Sequence, residues 1–400
     1  MTTKNILASA ISTALLAAVA MPSQAESQTE AATNFAKEGD LIAELRVRNE
    51  NVQDDNALKD DATAMTARAR IGYETAEVEG FKLLAEYDQV VVLQDSYDSG
   101  ISYPNDMNKS RIADGKNGDF NRVQLSYDSK SLSAVLGRQR IVLDNGRFIG
   151  NEGWRQNEQT FDAALVDYKP IKNLNLTYVF IKQQNDTDYN DVQRNDHLFN
   201  IGYQTSVGKA VTYAYLLDDL ATDETIDTYG IRFSKQSSDS EDTSIIYAFE
   251  YANQNSSVSG ASNEDADYVL VEAGVNMSGF TVLVGQEKLG GDGTYAFQTP
   301  YASAHEFNGW ADVASSANGV GLNDTYAKLG AEFYGVNLEA AYHDFKTEKN
   351  NTDLGNEWNL LASVDVNENL SAGIKYAQFD ANDTSVVDTD KLAIWGEVKF

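Results

Sequence analysis

The sequence lacks cysteine entirely and contains only four prolines and three histidines among 400 residues. Without cysteine, a disulfide framework, a cysteine metal site and lipid attachment to an N-terminal cysteine are all excluded. The three histidines, His197, His305 and His343, form no HExxH pattern, and neither a GxSxG motif nor a P-loop occurs. The sequence therefore predicts no enzyme, no metal site and no cofactor.

Long apolar runs are also missing, apart from one run near the N-terminus. Lys4 precedes an apolar segment from Ile6 to Met21, and small residues at Ser23 and Ala25 occupy the −3 and −1 positions of a cleavage site. This pattern predicts a secretory signal peptide, residues 1–25, because the run is shorter than the ~20 residues that span a bilayer. A periplasmic lead-in over 26–39 and one domain over 40–400 follow. No later segment has the ~18 consecutive apolar residues of a membrane helix.

Cations are scarce, because the sequence has only 31 lysines and arginines but 61 aspartates and glutamates, which gives a net charge of −30. Removing residues 1–25, whose only charged side chain is Lys4, leaves 375 residues and a net charge of −31. Such a chain is not expected to bind nucleic acid. The acidic segments 54–61, 186–191 and 380–390 show no EF-hand spacing, which favours solvated loops over calcium sites, although Ca²⁺ bridging to lipopolysaccharide stays an alternative.

Aromatic residues are abundant, with 21 tyrosines and 16 phenylalanines, and this excludes a disordered acidic protein. Alternation of apolar and polar residues dominates, as in SIIYAFEYANQ, Ser244 to Gln254. Counting such segments predicts eighteen strands, joined by short turns at one end and mostly longer loops at the other. The prediction is an all-β fold, a transmembrane antiparallel up-and-down β-barrel in the outer membrane of a Gram-negative bacterium. Such a barrel contacts outer-membrane lipid and lipopolysaccharide, and its last strand, ending at Phe400, is the segment that the barrel assembly machinery reads.

Arginines on the predicted strands are expected to face the lumen. An arginine facing hydrocarbon costs about 2–4 kcal/mol at the bilayer midplane, so several of them would outweigh the stability of the fold. The predicted lumen arginines on the first five strands are Arg46, Arg48, Arg68, Arg70, Arg122, Arg138 and Arg140. All twelve arginines precede residue 233 and ten precede residue 156, so the arginines of the first five strands form a cationic arc on one wall, whereas the other wall carries glutamates with Lys328, Lys375 and Lys399. The arc either pairs with carboxylates in structural ladders or forms a track for an anionic solute.

Two loops have unusual compositions. The loop after strand five contains three glycines from Gly146 to Gly153, together with Arg147, Trp154 and Arg155, and is predicted at the outer rim, with Trp154 wedging it into the mouth. The longest loop, 289–322, is rich in aromatic residues, including Phe307 and Trp310. We expect this loop to fold inward or to cap the barrel, with an adhesive surface as the alternative.

The segments GRQRIVLDNGRFIGNEGWRQNEQTFDAALVDY, FQTPYASAHEFNGWAD and LEAAYHDF resemble the alginate export family of outer-membrane porins. The resemblance implies an eighteen-stranded barrel that passes a polyanion through an arginine-rich lumen gated by loops. It places Arg138 and Arg140 in the GRQ strand and Arg147 and Arg155 in the first loop motif. The gating-loop residues that it implies are Trp154, His305, Phe307, Asn308, Trp310 and Asp312. One departure is His305-Glu306, which replaces the family's His-Lys pair.

The sequence thus favours a channel for an anionic solute, either a uronate oligo- or polysaccharide or an organic acid. A general or cation-preferring porin, whose arginines only form ladders, is the alternative. A third possibility is a surface-binding barrel that conducts nothing. Catalysis at the rim would require a clustered site, of which His305 and Asp312 are the only candidate pair.

Overall fold

A computed structural model describes residues 38–101, 103–236, 243–258, 263–314 and 319–400. The predicted signal peptide and residues 26–37 of the predicted lead-in lie outside the described residues. Eighteen strands are present: β1 Asp40–Asp54, β2 Ala62–Glu74, β3 Phe81–Ser96, β4 Gly118–Asp128, β5 Leu132–Gln139, β6 Thr160–Tyr168, β7 Leu174–Asn185, β8 Asp191–Gln204, β9 Lys209–Asp219, β10 Glu224–Lys235, β11 Thr243–Val258, β12 Glu264–Met277, β13 Phe280–Leu289, β14 Leu322–Phe333, β15 Val336–Thr347, β16 Asp353–Asp365, β17 Leu370–Ala381 and β18 Thr389–Lys399. A single 3-10 turn, Ala304–Glu306, is the one helical element described, and no helix among these residues is long and apolar enough to cross a membrane.

The strands form one closed antiparallel sheet. Each strand pairs with its neighbours in sequence, and β1 closes the barrel by pairing with β18. At the seam, Arg46 of β1 lies opposite Arg68 of β2 on one side and opposite Glu397 of β18 on the other. Closure leaves no open sheet edge, which is the condition for a sheet to stand in lipid. The predicted all-β eighteen-stranded barrel is confirmed.

Alternation along the strands separates a polar inner face from an apolar outer face. On β1, Arg46, Arg48 and Glu50 are buried, whereas Leu45, which precedes Arg46 and points to the other face, is 48% exposed. Large apolar side chains on the outer face include Ile71, Leu136, Phe249, Val282, Leu360 and Ile394. The charged side chains therefore avoid lipid by pointing into the lumen, as the energetic argument from sequence predicts.

The connections differ between the two ends of the barrel. The turns 129–131, 278–279 and 334–335 lie at the end that holds Asp40 and Phe400, which is the periplasmic end in barrels of this type. The three longest connections, 97–117, 140–159 and 290–321, all lie at the opposite, extracellular end. We call residues 140–159 the arginine loop and residues 290–321 the long loop.

Both named loops fold into the barrel. Phe148 of the arginine loop packs within the lumen against Tyr213 and Tyr268 of the wall, with ring centroids 5.6 and 5.1 Å away. Tyr301 of the long loop, fully buried, packs against Phe161 of β6. The main hydrophobic cluster thus lies inside the extracellular half of the barrel, between the loops and the wall from β6 to β17. The opposite wall, which carries the arginines, contacts the same loops through polar groups.

Candidate functional site in the lumen

Arg46 and Arg48 of β1 hold the tip of the arginine loop. Arg46 donates from Nε to Gln156 Oε1 at 2.9 Å and from Nη1 to the Gly153 carbonyl at 3.1 Å, and it also donates to the Arg155 carbonyl. Arg48 donates to the Trp154 carbonyl and to Asp114, and its guanidinium lies 4.4 Å from the Trp154 ring centroid. Backbone carbonyls of the loop therefore accept hydrogen bonds from guanidinium groups that point into the lumen.

Arg68 and Arg70 of β2 pair with wall carboxylates. Arg70 binds Asp88 with two nitrogens, both at 2.7 Å, and reaches Glu44 at 3.1 Å. Arg68 Nη2 lies 3.3 Å from both Glu44 and Glu397. This bidentate, buried geometry is the strong form of arginine–carboxylate contact.

Glu158 of the arginine loop connects that loop to two wall strands and to its own first residue, Arg140. It accepts from Arg70 at 2.8 Å and from Arg140 at 2.6 Å, and it also accepts from Asn121 of β4. Burial alone would raise the pKa of Glu158, but Arg70 and Arg140 outweigh it and hold that pKa at about 2. Arg122 completes this group by pairing in two places with Glu86, at 3.0 and 2.6 Å.

Arg138 does not face the lumen, which corrects the predicted shared face of Arg138 and Arg140. Arg138 lies opposite Val123 and Asp162, and strand alternation puts it on the same face as Leu136, which is 60% exposed. There it pairs with Asp162 at 2.8 Å and with Asp119 at 3.2 Å. The reason is that β5 ends at Gln139, so Arg140 no longer follows the alternation and turns inward.

Arg147 anchors the arginine loop to the far wall. Its Nε and Nη2 bind the two oxygens of Glu287 on β13 at 2.7 and 3.1 Å, and Nη2 also donates to Asn308 Oδ1 at 2.8 Å. The Phe307 ring covers the guanidinium, with 4.8 Å between CZ and the ring centroid. The Asn308 amide donates in turn to Glu287 and to Asp324 of β14. Asn308 therefore links the two loops to the wall.

Asp312 of the long loop joins that loop to the arginine loop. It accepts from Arg155 at 3.1 Å and from Lys391 of β18 at 2.8 Å, and it lies 2.9 Å from His305 Nδ1. The His305 ring stacks on Trp154 at 4.9 Å and with 13° between the planes. Burial, opposed by Asp312, lowers the pKa of His305 to about 3.

The backbone around Trp310 is held by two polar side chains of β16. Trp310 N donates to Asn359 Oδ1 at 3.3 Å, and Ala311 N donates to Glu357 Oε1 at 2.8 Å. Gly309 sits against Glu357 with a φ of 83°, a backbone conformation that favours glycine. The NGWAD segment is therefore docked through its main chain as well as its side chains.

These contacts correct the predicted position of the arginine loop at the outer rim. Arg147 is 3% exposed, and its partners lie on the inner wall. The physical reason is charge: Glu287, Glu50 and Asp312 offer buried carboxylates that a loop at the rim could not reach. The long loop folds inward, which is one of the two positions expected for it.

A family model described as alginate export matches residues 40–360. The chain belongs to the alginate export family. Among curated protein sequences, none matches the chain. Solved structures show the same fold: OccAB4 of Acinetobacter baumannii is 14% identical with a TM-score of 0.71, covering 92% of this chain and 100% of that one. OpdL of Pseudomonas aeruginosa, 14% identical, has a TM-score of 0.70 and covers 91% of this chain and 99% of that one.

A BenF-like porin of Pseudomonas fluorescens Pf-5, 13% identical, gives a TM-score of 0.68 over 92% of this chain and 100% of that one. Family and fold together make this member of the alginate export family an outer-membrane protein of the porin type. They are the family and fold of transport proteins rather than of enzymes.

The periplasmic half of the lumen contains a cavity of about 940 Å³ in this family member. It lies below the inward loops, against the wall from β10 to β15. Its charged lining residues include Arg232, Lys235, Glu272, Glu306, Lys328, Glu332 and Glu339. Arg232 is neutralised by Glu250, so carboxylates outnumber the remaining cations along this cavity.

Several residues of the site were missed from the sequence. Glu158 and Asp114 lie in loops, where no periodicity indicates direction, yet they bind the arginines most closely. Glu287 lies on the polar face of β13, and the alternation along this strand could have predicted that its side chain points inward. His343 pairs with Asp324 at 3.0 Å, whereas the adjacent Asp344 pairs with Lys346, as expected for neighbours on opposite faces of a strand.

Proposed function

We propose that this member of the alginate export family is a channel for an anionic solute, such as a uronate oligo- or polysaccharide or an organic acid. The observation that carries the proposal is the environment of Arg46. Among the described residues, eight of the nine predicted arginines have a carboxylate within 4.0 Å, and Arg46 has none. All its hydrogen bonds go to neutral oxygens.

A neutral carbonyl is a weaker acceptor for a guanidinium than a carboxylate is. An anionic solute that enters when the arginine loop is displaced therefore gains more from Arg46 than the loop loses. Arg48, which donates to the Trp154 carbonyl, would lose only one loop contact and keep Asp114. The solute thus replaces the loop carbonyls along β1, and the protein needs to do no chemistry.

The test is the reversal potential of the purified protein in planar bilayers under a potassium chloride gradient. We expect anion preference in the wild type and a shift towards cations in Arg46→Gln. Arg138→Gln is the matched control, because Arg138 carries the same charge on the outer face. Cation preference that Arg46→Gln leaves unchanged would contradict the proposal.

A second candidate, a cation-preferring porin, is favoured by the acidic lining of the periplasmic cavity. Glu332 and Glu339 have no ion-pair partner among the described residues and border that cavity. If this candidate is correct, Glu332→Gln with Glu339→Gln reduces cation preference, and Arg46→Gln has no effect. The same bilayer measurement therefore separates the two candidates.

A further inference from the structure

Lys375 of β17 connects the wall to both inward loops through aromatic rings. Its Nζ lies 3.8 Å from the ring centroid of Trp154 and 4.6 Å from that of Trp310. Trp154 belongs to the arginine loop and Trp310 to the long loop, so one ammonium group holds segments that are far apart in sequence. Trp154 also contacts Trp395 of β18, edge to face at 5.4 Å.

Lys375 differs from its neighbour Lys391 in having no anionic partner. Lys391 lies 2.8 Å from Asp312, whereas no carboxylate oxygen of the described residues lies within 4.0 Å of Lys375 Nζ. An indole face stabilises a cation only moderately, depending on desolvation. A carboxylate at hydrogen-bond distance stabilises it more in a lumen of low dielectric. The two indoles are therefore partners that an anion can displace.

Lys375 is half-buried and lies next to the open half of the lumen. Its cross-strand neighbour on β16 is Leu361, which lines the periplasmic cavity. Glu306 and Phe307 of the long loop line the same cavity directly above. Lys375 is thus at the boundary between the cavity and the part of the lumen that the loops fill.

We propose that Lys375 is the residue through which an anionic solute releases the two loops. When the Lys375 ammonium pairs with a solute carboxylate, the ammonium moves away from Trp154 and Trp310. Both loops then lose their cation–π contact with the wall at once. The inference rests on the proposed function, because it requires an anion in the lumen. It adds a specificity-determining residue on β17, which is separated from the arginines of β1 only by β18.

The experiment uses sodium glucuronate as the anionic probe and glucose as its neutral counterpart, on both sides of a planar bilayer. The variant is Lys375→Met, which keeps a long apolar stem against the indoles and removes the charge. The matched control is Lys328→Met, since Lys328 lies 5.1 Å from the Tyr326 ring of its own strand and contacts neither tryptophan. We expect glucuronate, but not glucose, to increase the opening frequency of the wild type and of Lys328→Met.

Lys375→Met is expected to lose this response, with the half-maximal glucuronate concentration raised at least about tenfold. Tryptophan fluorescence in detergent gives a second readout, in a Trp358→Phe background, because Trp358 is 49% exposed on the outer face. Glucuronate should change the emission of the three lumen tryptophans only when Lys375 is present. Trp310→Leu, which keeps the charge and removes one competing ring, should lower the half-maximal concentration several-fold.

A wild type without a glucuronate response, or a Lys375→Met variant that responds like the wild type, overturns the inference. Failure of the proposed function is seen separately, as cation preference in the reversal potential under potassium chloride. Anion preference together with an unaltered Lys375→Met response would remove this inference and leave the proposed function intact.

Discussion

Arg147 and Glu287 form a two-point ion pair inside the barrel although 140 positions separate them in the chain, with distances of 2.7 and 3.1 Å. Both side chains are nearly fully buried. The pair fixes the middle of the arginine loop to β13, and Asn308 attaches the long loop to the same point. This one contact therefore contributes to the docking of both loops.

Removing one partner of this pair should undock the arginine loop. Glu287→Leu leaves a buried guanidinium without its carboxylate, which costs about 3–5 kcal/mol, whereas Arg147→Met with Glu287→Leu leaves no unpaired charge. We expect the single variant to unfold at lower temperature and to show larger, noisier conductance, and the double variant to recover most of the difference. Equal behaviour of the single and double variants would show that the pair does not hold the loop.

Gly309 is expected to be intolerant of a side chain for a steric reason. An alanine Cβ there would lie 2.3 Å from Glu357 Oε2, and φ is 83°. Gly335 has a similar φ of 78°, but no atom lies within 4 Å of the position that an alanine Cβ would take. Gly335→Ala therefore has only the free-energy cost of placing alanine at a positive φ. Gly309→Ala should therefore disturb the long loop, seen as increased susceptibility to protease, and Gly335→Ala should not. Similar protease sensitivity of both variants would exclude the steric explanation.

The docked loops should loosen as the pH falls below neutrality. His305 has a pKa of about 3 when docked and recovers about 6.5 when exposed, so protons favour the undocked state below pH 6.5. The docked state has its full stability above that pH, and the equilibrium constant for docking falls by about tenfold between pH 7.5 and 5.5. Opening frequency in bilayers should rise accordingly, and His305→Gln should abolish the rise.

Other groups face His305 and require a control. Asp312 and Arg155 keep their charges in this pH range, but burial raises the pKa of Glu152, which accepts from the His305 amide. Protonation of Glu152 acts in the opposite direction, favouring the docked state, so Glu152→Gln should steepen the response. A pH response that His305→Gln leaves unchanged would assign it to another group.

The predicted signal peptide leads to a simple prediction about the mature protein. Cleavage after Ala25 gives an N-terminus at Glu26, because Ser23 and Ala25 are the small residues that signal peptidase requires. Intact mass and N-terminal sequencing of protein purified from outer membranes would establish this. An N-terminus at another residue, or retention of Lys4, would refute the predicted site.

Phe400 is expected to matter for assembly more than for the stability of the finished barrel. Its amide donates to the Ala43 carbonyl at 2.9 Å, but its side chain is 77% exposed. Deletion of Phe400 should lower the yield of folded barrel in the outer membrane several-fold without a large change in unfolding temperature. A large loss of thermal stability with normal yield would indicate a purely structural role.

Much of the fold was predictable from local patterns. Alternation such as that around Leu45 and Arg46 decides which side chains avoid lipid, and it determined the strands, their number and the cationic wall. The prediction went wrong at Arg138, because Asp162 and Asp119 pair with its guanidinium on the outer face and offset the cost of pointing away from the lumen. Loops have no such period, so the sequence did not indicate that Glu158 would reach Arg70.

The sequence by itself determined a closed barrel with arginines on one wall, because a two-residue period and the cost of charge in lipid are local properties of the chain. Only the tertiary structure decided what those arginines bind. Their partners, such as Glu287 for Arg147 and the loop carbonyls for Arg46, come from segments distant in sequence. Closure of the barrel brings these segments together, and burial then favours hydrogen bonds between each guanidinium group and the oxygens nearby.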